Sequence, residues 1–467
     1  MAKVIELPAP KDTSYITKAS AMYEAGRIDE AYAEIDAYMM REPNDAQALA
    51  LMSAILKKAN KCSIAYSMAK RATELRPDRP EPWNAFAHAA QFLWRMEESE
   101  SAYRKALERT KDPKQKALYL NNLASTFLDR GRFAKAEPLC RESLALNDDN
   151  QTRHNLGLSL MAQHQWEEGW KFYSASLGTV NRLSIRYRSP GNEEPVWDGS
   201  HGKTVVVYGE QGLGDEICAA SMLPDAIRDS KKVIVDCDKR LQGLFRRSFP
   251  QAKVYGTRTA KPGEGRWDEK PEVIEASIAG FELGRFYRNS DADFPGAPYL
   301  IPDPDRVVMW KGLFATKGKP IIGIAWSGGT WHNAGEHRKL PLDQWKPIFD
   351  AIDAHWVSLQ YKDASEQIKG TPVVQYPYST LTSDYDDTAA LVASCDLVIA
   401  VQTSVNHLAG AMGVPVWAMI PEVSQWRYGE SGSSIPWYRS MRLFRQQQGK
   451  WPVNDIAAEL KHHFHQS

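Results

Sequence analysis

The chain has 467 residues. Domains usually hold ~100–200 residues, so one core cannot account for it and three units are expected. Hydrophobic residues make up 43% and charged residues 25%, the balance of an ordinary soluble protein, and Lys+Arg equals Asp+Glu at 58 each, so no global field draws nucleic acid or an anionic membrane.

The opening residues hold no apolar stretch long enough for a signal peptide, and no run approaches the ~18 apolar residues of a membrane span. Cys62, Cys140, Cys218, Cys237 and Cys395 are scattered, odd in number and without CxxC spacing. They read as reduced core thiols of a cytoplasmic protein rather than as a disulfide framework or a metal site.

A repeat follows. Ala31, Ala65 and Ser99 recur at steps of 34 residues, as do Tyr38, Ala72 and Ala106, and Pro43 with Pro77. Small side chains seven apart share a helix face and let neighbouring helices approach, while proline ends a helix. Gly26 marks a tight turn between paired helices. The same turn returns at Asp129-Arg130-Gly131-Arg132, with Ala136 five residues after Gly131. Trp83 opens a third repeat and Asn155-Leu156-Gly157 a fifth, with an insertion near Lys111-Asp112-Pro113. The pattern resembles the tetratricopeptide repeat over roughly 12–180. The resemblance implies a helical solenoid whose concave groove docks a peptide or partner protein.

Ser189 to Pro195 break the helical pattern and place a linker over 181–202. Short apolar runs then alternate with amphipathic helices, the pattern of parallel α/β sheets. Thr204–Tyr208 and Lys232–Asp236 belong to a first lobe over 203–304. Ile321–Trp326, Trp356–Leu359, Leu397–Val401 and Val414–Met419 belong to a second over 305–460. The extended stretch Pro295 to Pro304 reads as a hinge. Two Rossmann-like, doubly wound lobes facing a cleft are expected, with ligands beyond the carboxyl ends of the strands.

Three loops then carry the candidate chemistry. The first, Gly209-Glu210-Gln211-Gly212-Leu213-Gly214-Asp215-Glu216, follows a strand and opens a helix, so its glycines permit tight turns and close approach. It is neither a P-loop nor a dinucleotide fingerprint. Asp215 is the residue of interest, with helix capping as the plain alternative. The second loop, Trp326-Ser327-Gly328-Gly329-Thr330, offers backbone amides to a phosphate, and His332, His337, Arg338 and Lys339 follow. The third, Gln402-Thr403-Ser404 with His407, lies at a helix start facing the strand ends.

In order, Gly-Glu-Gln-Gly-Leu-Gly-Asp, Trp-Ser-Gly, Asp387-Thr388-Ala389-Ala390-Leu391, Thr-Ser-x-x-His-Leu-Ala-Gly-Ala and Trp437 to Gln446 resemble bacterial tetratricopeptide-repeat glycosyltransferases. Their catalytic half is similar to the ADP-heptose:lipopolysaccharide heptosyltransferases. The resemblance covers about 150–455. It implies a GT-B fold and an inverting transfer that needs no metal and no cofactor beyond the nucleotide-sugar co-substrate. It also implies Asp215 as general base and an acceptor-side loop of Glu210, Gln211, Gly212 and Gly214. The donor site is implied at Trp326, Ser327, Gly328, Arg338, Gln360, Gln402, Thr403, Ser404 and His407. Where the family usually has Asp before that threonine, this chain has Gln402. The expected acceptor is a protein held by the repeats, such as a flagellar or surface protein. The alternatives are a transferase acting on surface polysaccharide and a non-catalytic adaptor, which Gln402 favours.

Overall fold

The computed structural model describes residues 14–179, 182, 184–185, 187, 194–258, 273–329 and 335–465. The chain divides into two compact units, Met1–Asn155 and Leu156–Ser467.

The first unit is a series of helix pairs: α1 (Ser14–Glu24) with α2 (Ile28–Met39), α3 (Ala46–Lys58) with α4 (Cys62–Leu75), α5 (Pro80–Phe92) with α6 (Met96–Arg109), and α7 (Pro113–Asp129) with α8 (Phe133–Leu146). Ile28, Cys62 and Met96 open their helices 34 residues apart, so the period read from sequence is the period of the fold. Helix starts are fixed locally. Asp45 accepts hydrogen bonds from the Gln47 and Ala48 amides, Asp112 from the Lys114 amide, and Pro80 and Pro113 occupy first-turn positions. Ala31, Ala65, Ser99 and Ala136 are fully buried, which is how paired backbones come close. The turn inside each pair needs a left-handed residue. Gly26 and Gly131 supply it at φ +77° and +64°, whereas Asn60 and Trp94 fill the equivalent place at +62° and +59°.

Helix α9 (Asn150–Ala162) crosses the unit boundary, and α10 (Trp166–Tyr173) belongs to the second unit. The expected repeat span of 12–180 therefore runs past the end of the first unit. The cause is aromatic packing. Trp166, Trp170 and Tyr173 meet Phe281, Phe294, Trp426 and Trp437 at ring-centroid distances of 4.8–6.4 Å. Trp166 also donates to Asp291 at 2.7 Å and Trp170 to the Arg288 carbonyl at 2.8 Å. Nor are the described residues of the expected linker a free tether. Arg182 is fully buried, and Trp197 is buried with its amide bonded to the Ser277 carbonyl. Ser189 to Glu193 lie outside the described residues.

The second unit holds two parallel sheets. Strands β1 (Thr204–Tyr208), β2 (Lys232–Asp236), β3 (Lys253–Tyr255) and β4 (Ala276–Ala279) lie in the order β3-β2-β1-β4. Strands β5 (Ile321–Ala325), β6 (His355–Ser358), β7 (Val373–Val374), β8 (Leu397–Val401), β9 (Val416–Ile420) and β10 (Met441–Arg445) lie in the order β10-β9-β8-β5-β6-β7. Strands β1, β5, β8 and β9 are buried along their whole length, as parallel strands covered on both faces must be. Counted within the second sheet, the order is that of doubly wound nucleotide-binding sheets, with its switch point between β5 and β8. The proline-rich stretch read as a hinge is pinned rather than loose. Tyr299 and Leu300 donate their amides to the Ala411 carbonyl at 2.8 and 3.0 Å, and the Tyr299 hydroxyl donates to the Ile217 carbonyl at 2.7 Å. Among the described residues, no helix is long and apolar enough to cross a membrane.

Candidate functional site

Past the carboxyl end of β1, Gly212 caps the helix Leu213–Ala219; past β8, Thr403 precedes the helix Ser404–Met412. The two helices touch. A Cβ on Gly214 would stand 3.2 Å from both His407 Cδ2 and Ser404 Cα, so this glycine serves close packing between the two lobes. A cleft of about 330 Å³ opens beside the contact. It is lined by Gly212, Gly214 and Asp215 from the first lobe, and by Arg338, Gln402, Thr403, Ser404, His407 and the loop Gln425–Tyr428 from the second. A neighbouring cavity of about 240 Å³ lies along Ser327, Gly328, Glu336, Lys339, Gln360 and Lys362, and the two share Gly329 and Tyr361.

Asp215 does what a capping residue does: its Oδ2 accepts from the Gly212 amide at 3.0 Å. Its Oδ1 accepts from Arg427, which reaches across from the loop after β9. Together these use two of the carboxylate's roughly four lone-pair sites, which leaves capacity toward the cleft. Arg427 came without a sequence signal, since no motif surrounds it; only its place beyond a strand end marks it.

The other charges divide sharply. Arg240 grips Asp238 through two bonds at 2.9 and 3.0 Å. Arg427 has Asp215. Arg338 is 7% exposed, and among the described residues it has neither an ion pair nor a hydrogen bond; its Nε is a buried donor without an acceptor. Burial draws its guanidinium down to about 10, still protonated at neutral pH. Beside it, Gln402 is 2% exposed, and among the described residues neither its amide oxygen nor its amide nitrogen has a partner. Thr403 stands at the helix N-cap, yet its hydroxyl makes no capping bond and is buried without a partner. Buried polar groups are nearly always bonded. Arg427 Nε is likewise a buried donor without an acceptor among the described residues, so unsatisfied atoms of four residues gather around one cleft, where a polar, anionic ligand would complete the structure.

Several candidates have different roles from those expected. Glu210 faces inward, accepting from Arg182 Nε at 2.7 Å, while Arg182 also reaches Glu282 at 2.8 Å; this is a buried structural triad away from the cleft. Gln211 accepts from the Tyr173 hydroxyl at 3.4 Å and does not line the cleft either. Trp326 is a core side chain that donates to Gln367 at 2.8 Å. Gln360, with its amide oxygen turned to the backbone, accepts from the Trp326 and Ser327 amides at 3.1 and 2.8 Å and donates to the Ser327 carbonyl at 3.2 Å. The Ser327 amide is thereby used and is not free for a phosphate. Gly328 allows this loop to lie against the next one, since a Cβ there would meet Thr403 Cγ2 at 2.3 Å. His407 lines the cleft, but Tyr438 and Tyr428 hold its two ring nitrogens at 3.1 and 3.3 Å. Burial, with Arg427 nearby, lowers it to about 3 and keeps it neutral. Ser404 bonds the Tyr385 hydroxyl at 3.2 Å. Thr330 and His332 lie outside the described residues.

Residues 117–147 match the tetratricopeptide-repeat family. Protein FlbA of Caulobacter vibrioides is 29% identical over 452 residues, spanning 91% of this chain and 74% of that protein. Among solved structures, PilF of Pseudomonas aeruginosa is similar at 17% identity and a TM-score of 0.32, covering 35% of this chain and 73% of the other. A thermophilic TPR protein of Thermus thermophilus is similar at 18% and 0.33, covering 36% and 91%. The family match covers α7 and α8, so a tetratricopeptide repeat stands there, within a TPR-like series of helix pairs.

Proposed function

We propose that the second unit is a glycosyltransferase of GT-B type, taking a nucleotide sugar in the cleft between its two lobes and transferring the sugar to an acceptor. The observation that carries this reading is the buried Arg338, unpaired among the described residues, in a cleft at the strand ends of two parallel sheets, with Gln402 and Thr403 unsatisfied there beside it. A nucleoside phosphate satisfies them together: its charge meets the guanidinium, and sugar or phosphate oxygens meet the amide and hydroxyl.

In this reading Asp215 accepts the proton of the acceptor hydroxyl as that oxygen attacks the anomeric carbon. The bond to the nucleotide breaks on the opposite face, so the configuration inverts, and Arg338 stabilises the negative charge of the departing phosphate. Arg427 orients Asp215 from across the cleft. The acceptor is a protein. The support is the presence, in one chain, of repeats suited to docking a peptide. Asp215→Asn is expected to lower turnover by ~10²-fold or more while donor affinity stays within a few-fold. Equal loss of both would remove Asp215 from the chemistry. A non-catalytic nucleotide-sugar sensor is the second reading, favoured by the closed Asp215–Arg427 pair; binding without turnover toward any acceptor would select it.

A further inference from the structure

One helix of the second unit, Pro304–Ala315, is packed on one side and bare on the other. Trp310 and Phe314 are buried, and Trp310 stacks on the Tyr378 ring at a centroid distance of 5.3 Å. Arg306 ties the same helix to Asp384 at 2.9 Å. On the opposite face Val308, Met309 and Leu313 are 69%, 53% and 37% exposed. At 3.6 residues per turn, Val308, Met309, Gly312 and Leu313 share one stripe, with Asp305 and Thr316 at its two ends and Lys311 outside it. Apolar patches of this kind mark contact with another molecule. Gly312 lies inside the helix, where glycine is destabilising, and a Cβ there would meet nothing within 4 Å. No described residue fills that gap, so it has a use only when something from outside enters it.

The occupant follows from symmetry and charge. Asp305 and Thr316, Val308 and Leu313, and Met309 and Gly312 are each spaced equally about one point, between Trp310 and Lys311. Two copies of the helix laid antiparallel therefore set each Met309 over the other's Gly312, the self-complementary contact of a two-fold dimer. Asp305 and Lys317 are exposed at opposite ends, and neither has an ion pair among the described residues. The antiparallel arrangement brings each within reach of its opposite charge. A lipid surface fits less well, because Asp305 lies on the midline of the stripe and its charge is costly to immerse.

We propose that a second copy of this chain covers this face, the two helices antiparallel about a two-fold axis, with Met309 in the partner's gap and Asp305 paired across the interface with the second copy's lysine at the other end. One helix face falls well short of the ~800 Å² per partner of a stable assembly, so the dimer is weak, with Kd on the order of tens of micromolar. The inference holds whether or not the second unit transfers sugar.

The test is sedimentation velocity of the intact chain, without nucleotide, from about 1 µM to about 300 µM. A monomer–dimer equilibrium with its midpoint in the tens of micromolar is expected. Met309→Glu sets two like charges close to the two-fold axis and leaves the chain monomeric throughout. Asp305→Lys and Lys317→Asp each weaken the dimer about fivefold at low salt, and the double exchange restores it. Circular dichroism confirms that each variant folds. A native chain that stays monomeric at about 300 µM, a dimer that persists in Met309→Glu, or a double exchange no better than the single ones would overturn the proposal. Co-sedimentation of a monomeric native chain with phosphatidylglycerol vesicles, lost in Met309→Glu, would overturn it too and assign the face to lipid.

Discussion

Arg338 and Gln402 are unfavourable as they stand, because burial without partners is destabilising for a charge and for an amide alike. Arg338→Met keeps most of the volume and removes the unpaired charge, so the variant is expected to be more stable than the native chain, by ~1–4 kcal/mol in urea unfolding, while nucleotide binding is lost. A destabilised variant would show that Arg338 has a structural partner. His407 supplies a pH test. Its folded value of about 3 lies below the ordinary 6.5, so its contribution to stability is present above 6.5 and is lost as pH falls toward 3. His407→Gln is expected to flatten the acid side of the stability profile by about 1.4 kcal/mol per pH unit within that window. An unchanged slope would mean that the imidazole is already protonated in the folded chain. Single residues are unevenly legible in the sequence. Arg338 and the Gln402–Thr403 step were visible as polar residues at strand ends. Glu210 and Gln360 sit in equally suggestive places, yet their partners Arg182 and the Trp326–Ser327 backbone come from distant segments or depend on side-chain direction. Arg427 lies 212 residues from Asp215, and no local pattern announces the pair.

Among the elements, the helix pairs were legible because they repeat. Small residues at a fixed step can have only one packing consequence, and the buried column of Ala31, Ala65 and Ser99, continued by Ala136 after three extra residues, is that consequence. The central strands β1, β5, β8 and β9 were legible as unbroken apolar runs. The short strands β3, β4 and β7 were not, since two to four residues carry no periodicity. At α10, Trp166 and Trp170 continue the helical pattern while their rings pack against Phe294 and Trp426 of the second unit. The turns within pairs yield a further prediction. Asn60 and Gly131 occupy the same left-handed position, so Asn60→Gly is expected to raise stability slightly, by up to ~1 kcal/mol, and Gly131→Ala to lower it by ~1–2 kcal/mol, read from urea midpoints of the full chain. The same sign for both would contradict a shared turn.

At the scale of the molecule, the second unit brings its two sheets together at one cleft, where Arg338 is unpaired among the described residues. The glycines that looked like ligand-facing loops serve this plan indirectly. Gly214 lets the helix that carries Asp215 pack on the helix after Thr403, and Gly328 lets its own loop lie against Thr403. The most direct test of the central claim is thermal unfolding of the intact chain and of Arg338→Met against a panel of nucleoside monophosphates, diphosphates and nucleotide sugars. Ligand at about 100 times its Kd stabilises by ~2.7 kcal/mol. A clear upward shift of the native chain with one nucleotide class is expected, absent in Arg338→Met. No shift with any ligand, or the same shift in both proteins, would contradict a nucleotide-sugar site in this cleft.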